Sequence, residues 1–167
     1  MLESRAIRFH EPIRLNGKEV YDLVKNSPPL DENSMYCNFL QCEHFSDTSV
    51  CAKQGDTLVG FISAYLLPNN NNTLFIWQVA ISKEARGQGL ALKMIEHLLE
   101  RLHLKNVCHI ETTITHENQS SWRLFEKVAS ALSCEIHSSE WLNKETHFQS
   151  QHSTEMLVKI GPFQTQH

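Results

Sequence analysis

The residues best suited to chemistry stand together near the middle of the chain. Arg86-Gly87-Gln88-Gly89-Leu90-Ala91 follows a β-prone run, Phe75-Ile76-Trp77-Gln78-Val79-Ala80-Ile81, after only a few polar residues. A strand that passes into a helix across glycines makes an anion site. Glycine lets the backbone approach a ligand closely, and the first amides of a helix are unpaired donors at the positive end of its dipole. A pyrophosphate suits such a site, and Lys83, Arg86 and Lys93 add positive charge nearby. The two glycines would equally serve a plain tight connection, and their spacing alone does not choose between these readings.

The elements that must position this segment are legible on both sides of it. Ala91, Met94, Ile95, Leu98, Leu99 and Leu102 recur at the offsets of one helical face, so an amphipathic helix follows Gly89 directly. Val107–Ile114 predicts a strand, and Asn118 then caps a second helix whose inward face is Trp122, Phe125, Val128, Ala129 and Leu132. Upstream, Gly55-Asp56 separates Val50–Gln54 from Leu58–Leu67 as the turn of an antiparallel hairpin. Pro68 and the asparagines Asn69–Asn72 form an exposed loop before the strand Leu74–Ile81.

Nearer the N-terminus a short strand, Arg5–Phe9, precedes a helix capped by Asn16 with Val20, Leu23 and Val24 inward. That helix stops at Asn26-Ser27-Pro28-Pro29, and another opens at Asp31, Asn33 or Ser34 with Met35, Phe39 and Leu40 inward. A last strand, Met156–Ile160, comes after a polar stretch in which His147–His152 reads as loop. A meander of strands followed by strand, helix, strand and helix gives an α/β (α+β) architecture. The expectation is one domain over residues 1–167, with a mixed, mostly antiparallel sheet and helices on both faces.

Composition fits such a domain and removes several functions. With 41% apolar and 20% charged residues, the 167-residue chain can bury a core and has the make-up of neither a disordered nor a collagen-like protein. Fifteen Lys and Arg against 19 Asp and Glu leave a net charge of −4, which attracts neither nucleic acid nor an anionic membrane, so neither partner is expected. The longest apolar run, Phe61–Leu67, is far short of the roughly 18–20 residues of a bilayer span. Charges at Glu3 and Arg5 stand where a signal core would be apolar, so a cytoplasmic protein is expected. Cys37, Cys42, Cys51, Cys108 and Cys134 are odd in number and irregularly spaced, as free thiols would be. His103, His109 and His116 lack partners at ligand spacing, and no metal is expected.

Arg86-x-x-Gly89-x-Ala91 after a strand resembles the acyl-CoA loop of the GNAT N-acetyltransferase superfamily, and Asn118-x-x-Ser121 opens a second helix where that family has one. The resemblance implies acetyl-CoA as co-substrate and a central strand pair that splays apart. It implies that Val79, Ala80 and Ile81 hold pantetheine through their backbone, that Gln88, Gly89, Leu90 and Ala91 hold the pyrophosphate with Arg86 and Gly87 also in the coenzyme site, and that Asn118 meets the arm near the sulfur. Further stretches are similar to the diaminobutyrate acetyltransferases of ectoine biosynthesis: Pro29-Leu30-Asp31-Glu32-Asn33-Ser34-x-Tyr36, Cys42–Ser49, Phe75–Ala80 and Glu111–Thr115. That similarity implies L-2,4-diaminobutyrate as acceptor, acetylation of its side-chain amine, a product that leads to a compatible solute used in osmoprotection, and a homodimer.

The reaction asks for a neutral amine, a polarised thioester carbonyl and a stable leaving thiolate. An alkylamine near pKa 10.4 is protonated at neutral pH, so a carboxylate or water chain must take its proton. Backbone N–H groups near Val79 suit the developing oxyanion. Many GNAT enzymes carry a Tyr as the thiolate's acid where this chain has Phe125, so that role is vacant or has moved, with Tyr36 as a substitute or as a packed residue. Asp31 and Asn33 suit an amino-acid head group or a helix cap. Trp77 walls a pocket or fills the core, and Gln78 on the opposite face offers a polar partner. Glu111 and Thr113 share a strand face, and Glu155 ranks above Glu111 as base or ammonium anchor, with a surface salt bridge as the alternative for either. Another small diamine, a polyamine or a protein N-terminus as acceptor, or a non-catalytic acyl-CoA sensor, are the competing functions.

Overall fold

Tight turns set the strand arrangement. Gly55, in the left-handed region at φ 63, and Asp56 join the strands β2 (Val50–Gln54) and β3 (Thr57–Leu67). Pro68 and Asn69 turn β3 into β4 (Asn70–Ile81), so Asn70–Asn72 belong to the strand and not to the expected loop. Two residues suffice for an antiparallel return, and the ladder carries the asparagines because their side chains face solvent. A computed structural model describes residues 6–165. The strand expected at Arg5–Phe9 is β1 (Ile7–His10), with Arg5 outside the described residues. The other elements are α1 (Gly17–Lys25), α2 (Met35–Glu43), α3 (Leu90–Leu99), β5 (His109–Thr115), α4 (Gln119–Ala131), β6 (Ile136–Leu142) and β7 (Glu155–Ile160).

The described residues form two compact units. The first holds residues 6–65 and Trp77–Leu104, the second Leu66–Ile76 and residues 105–165; β3 and β4 contribute to both. In the first unit the strand order is β1-β2-β3-β4. Cys51 pairs with Phe61 and Ala52 with Gly60, and successive residues of a strand face opposite ways. Cys51 and Phe61 join Val20, Leu23, Val24, Cys42, Leu58 and Ala80 in one core cluster beneath α1 and α2. A Cβ built on Gly60 would stand 2.9 Å from the Met94 sulfur of α3 and 3.2 Å from the Ala52 Cβ, so the other face of the same strands packs α3. Burial pushes the Cys42 thiol up to about 12 and raises that of Cys51 as well.

The α2 helix departs from expectation. Met35, Phe39 and Leu40 are only half-buried, while Asn38, Gln41 and Cys42 are buried. Asn38 Nδ2 donates to Gln41 Oε1 at 3.0 Å, and Gln41 Nε2 donates to the Ser63 hydroxyl at 3.4 Å. This hydrogen bonding lets two carboxamides occupy core positions. The α3 helix ends at Leu99, and Leu102 falls in a 3-10 turn with 78% exposure, off the expected apolar face. Asn16 precedes α1, but its side chain accepts from the Ile13 N–H at 2.8 Å instead of capping the helix.

In the second unit the order is β4-β5-β7-β6. Pairing of β4 with β5 is parallel; β5–β7 and β6–β7 are antiparallel. The β6 strand lies within the polar stretch and escaped the sequence pattern because all but its end residues are exposed, leaving no alternation to read. Phe125, Val128 and Ala129 form the buried side of α4, as their spacing predicts.

Candidate active site

The glycine segment is built as an anion cradle. After Ile81, the 3-10 turn Lys83–Ala85 leads to Arg86, then Gly87 at φ 75 and Gly89 at φ 69, and α3 begins at Leu90. Both glycines adopt a backbone that side chains resist, and a Cβ on either would meet no atom within 4 Å. The cradle is therefore open where a ligand would approach. The first intrahelical bond runs from the Lys93 N–H to the Gly89 carbonyl at 3.2 Å, and the amides ahead of it, at Gly89–Leu92, are those an α-helix cannot satisfy internally. Together these features fit the pyrophosphate of a coenzyme. Arg86 Nε donates to the Ile81 carbonyl at 3.1 Å and Gln88 Nε2 to the Glu84 carbonyl at 3.4 Å, so both side chains brace the loop.

The parallel pairing of β4 with β5 is short. The β4–β5 ladder runs from Thr73↔His109 to Phe75↔Glu111 and ends there, although β4 continues to Ile81 and β5 to Thr115. The Thr112 hydroxyl donates to the next carbonyl, Ile76, at 2.9 Å. Ala80 is fully buried in the core cluster, whereas Val79 and Ile81 are half-buried.

The first unit groups the residues expected on the acceptor side. Ser34 is the N-cap of α2, its hydroxyl accepting from the Cys37 N–H at 3.1 Å, which removes Asp31 and Asn33 from any capping role. Asn33 Nδ2 donates to Gln78 Oε1, and Gln78 Nε2 donates to the Asp31 carbonyl, each at 3.1 Å. Trp77 is 41% exposed, too open for a core filler, and its ring meets Phe45 and Tyr65 edge-on with centroids 6.1 Å apart in both cases. Sequence reading singled out neither ring: Phe45 lies in the Cys42–Ser49 stretch with no role of its own there, and Tyr65 belongs to no motif. Tyr36 is 72% exposed and is not a packed residue.

The second unit places the other candidates. Glu111, Thr113 and Thr115 share the half-buried face of β5, opposite Lys159, Leu157 and Glu155 of β7. Glu111 is ion-paired with Lys159 at 3.4 Å, whereas Glu155 faces His152 at 3.8 Å with 18% of its side chain exposed. Phe125 is buried in α4 and offers no proton. Asn118 caps α4, its carboxamide oxygen accepting from the Ser121 N–H at 3.2 Å. Asn118→Ala is expected to lower unfolding free energy by about 1 kcal/mol in a urea titration. A loss of that size leaves the protein folded, so a several-fold rise in the acetyl-CoA KM would mark a contact with the coenzyme as well. Among the described residues no group of three or more His, Cys, Asp or Glu could hold a metal, and no helix is long and apolar enough to cross a membrane.

A strand that leads through a glycine cradle into a helix start suits the pyrophosphate of an acyl coenzyme. The chain belongs to the GNAT acetyltransferase family, whose model matches residues 18–129. Within it, the chain is similar to proteins named L-2,4-diaminobutyric acid acetyltransferase. The relative from Methylotuvimicrobium alcaliphilum is 51% identical over 94% of this chain and 91% of its own, and that from Vibrio cholerae is 46% identical over 91% and 88%. Among solved structures, the diaminobutyrate acetyltransferase EctA from Paenibacillus lautus, in complex with L-2,4-diaminobutyric acid and coenzyme A, superposes with a TM-score of 0.91. It is 34% identical and covers 98% of this chain and 99% of its own.

Proposed function

We propose that this protein transfers the acetyl group of acetyl-CoA to the side-chain (N4) amine of L-2,4-diaminobutyrate, giving N4-acetyl-L-2,4-diaminobutyrate, the precursor of ectoine. The observation that carries this reading is the 51% identity to a diaminobutyric acid acetyltransferase over 94% of the chain, with the coenzyme cradle intact.

Each step falls to a named group. Amides at Gly87–Ala91 hold the pyrophosphate, with Arg86 bracing the loop. The backbone of Val79, Ala80 and Ile81, on the stretch of β4 beyond the ladder, holds pantetheine, and the Val79 N–H stabilises the oxyanion. The Asn118 carboxamide meets the arm near the sulfur. Asp31, Tyr36, Trp77 and Thr113 bind the acceptor, its ammonium drawn by the Asp31 carboxylate and the Trp77 ring face. Asn33 and Gln78 belong to the same acceptor side. Glu155 takes the amine proton, and Glu111, committed to Lys159, supports the field around it. A thiol titrating near 8.5 leaves readily, and Tyr36 supplies its proton in place of Phe125.

The test is acetyl-CoA consumption with L-2,4-diaminobutyrate beside ornithine, lysine and spermidine, with the acetylated nitrogen located by NMR. Selective modification of the diaminobutyrate side chain is expected. Preference for another amine would move the acceptor assignment, and coenzyme binding without turnover would favour an acyl-CoA sensor. The protein acts as a cytoplasmic homodimer in this reading, which sedimentation of the purified protein and fractionation of cells would check.

A further inference from the structure

The Asp31 segment is joined to β4 through Gln78. Residues 31–34 lie outside any helix or strand, between α1, which ends at Lys25, and α2, which Ser34 caps. On one side, Leu30 packs against the core cluster and its N–H donates to the Ser27 carbonyl at 3.2 Å. On the other stands Gln78 of β4, whose carboxamide binds the segment twice, to the Asn33 side chain and to the Asp31 main chain.

We infer that Gln78 is a positioning residue for the amine substrate, fixing where the Asp31 carboxylate stands without itself touching the acceptor. The geometry has the right chemistry for this. Gln78 grips Asp31 by its main-chain carbonyl and not by its carboxylate, and a neutral carboxamide adds no competing charge. Its own acceptor and one of its donors are already engaged within the protein. Half-burial of Gln78 and Asn33 shields their mutual bond from water, which strengthens it. The cradle at Gly87–Ala91 belongs to a different stretch of chain, and Val79–Ile81 engage the coenzyme through a backbone held within strand β4, so coenzyme binding should not respond to the loss of these side-chain bonds.

This inference rests on the reading of Asp31 as the ammonium anchor, and the experiment separates the two. Steady-state kinetics are compared for the intact protein, Gln78→Leu, Asp31→Asn and the double variant. Loss of two hydrogen bonds is expected to lower kcat/KM for diaminobutyrate about tenfold, through KM, with acetyl-CoA KM within twofold. Because Gln78 acts through Asp31, the double variant should be no worse than Asp31→Asn alone. If Asp31→Asn is impaired and the two losses multiply, Gln78 contacts substrate independently and the inference fails; it fails too if Gln78→Leu leaves KM unchanged. An Asp31→Asn variant with normal kinetics overturns the anchor itself. Where Gln78→Leu yields no folded protein, Asn33→Ala removes one of the bonds and should raise the diaminobutyrate KM about threefold; an unchanged KM there overturns the inference.

Discussion

Glu155→Gln should lower kcat by about 10²–10⁴ with little change in acetyl-CoA KM, the range expected when a general base is removed. The acceptor amine arrives protonated, and attack on a thioester needs its lone pair, so a group must take that proton. Glu155 opens β7 directly across from Thr115, with most of its side chain shielded from water and His152 at 3.8 Å. Glu111 lies on the same strand face but is ion-paired with Lys159, and Glu111→Gln should cost less than about tenfold. The pH dependence gives the signature. As the pH rises toward about 10, more acceptor arrives neutral and the deficit of Glu155→Gln should narrow. A deficit independent of pH, or none at all, would remove Glu155 from the role of base.

The second large effect belongs to Gly89. At φ 69 and ψ 21 this residue starts α3 in the left-handed region, where a β-branched side chain costs about 1–3 kcal/mol. Gly89→Val can escape that strain by reshaping the loop, and reshaping withdraws the amides that define the cradle. Acetyl-CoA KM should then rise on the order of 10–100-fold. A Cβ at this position meets nothing within 4 Å, so there is no clash to unfold the protein, and the melting midpoint should fall by no more than about 10 °C. An unchanged acetyl-CoA KM would mean that these amides do not hold the pyrophosphate.

How much of this was legible in sequence depended on where the determining contacts lie. The α3 start, the Gly55-Asp56 turn and the Asn118 cap are set by neighbours a few residues away, and each stands where its pattern put it. The β6 strand had no apolar alternation to betray it, and the buried face of α2 carries carboxamides that any hydropathy pattern assigns to solvent. Residue types and the family resemblance pointed to Asp31, Asn33, Trp77 and Gln78 as candidates for the acceptor. That Gln78 spends its carboxamide on residues 45 and 47 positions away, and that Phe45 and Tyr65 surround Trp77, are facts of tertiary packing that no local spacing encodes.

Cys42 and Cys51 give the first unit an internal gauge of its own stability. Both are fully buried in the cluster under α1 and α2, and both thiols are held well away from ionisation. Since a thiol is alkylated as its thiolate, a small electrophile reaches these two only in molecules whose α1–α2 layer has lifted from the strands. When closing outpaces labelling, the rate at which they are modified measures the population of that open form, as amide exchange does for backbone. The free energy of opening the layer that carries the Asp31 segment can thus be read by mass spectrometry on the unmodified chain, with and without substrate bound.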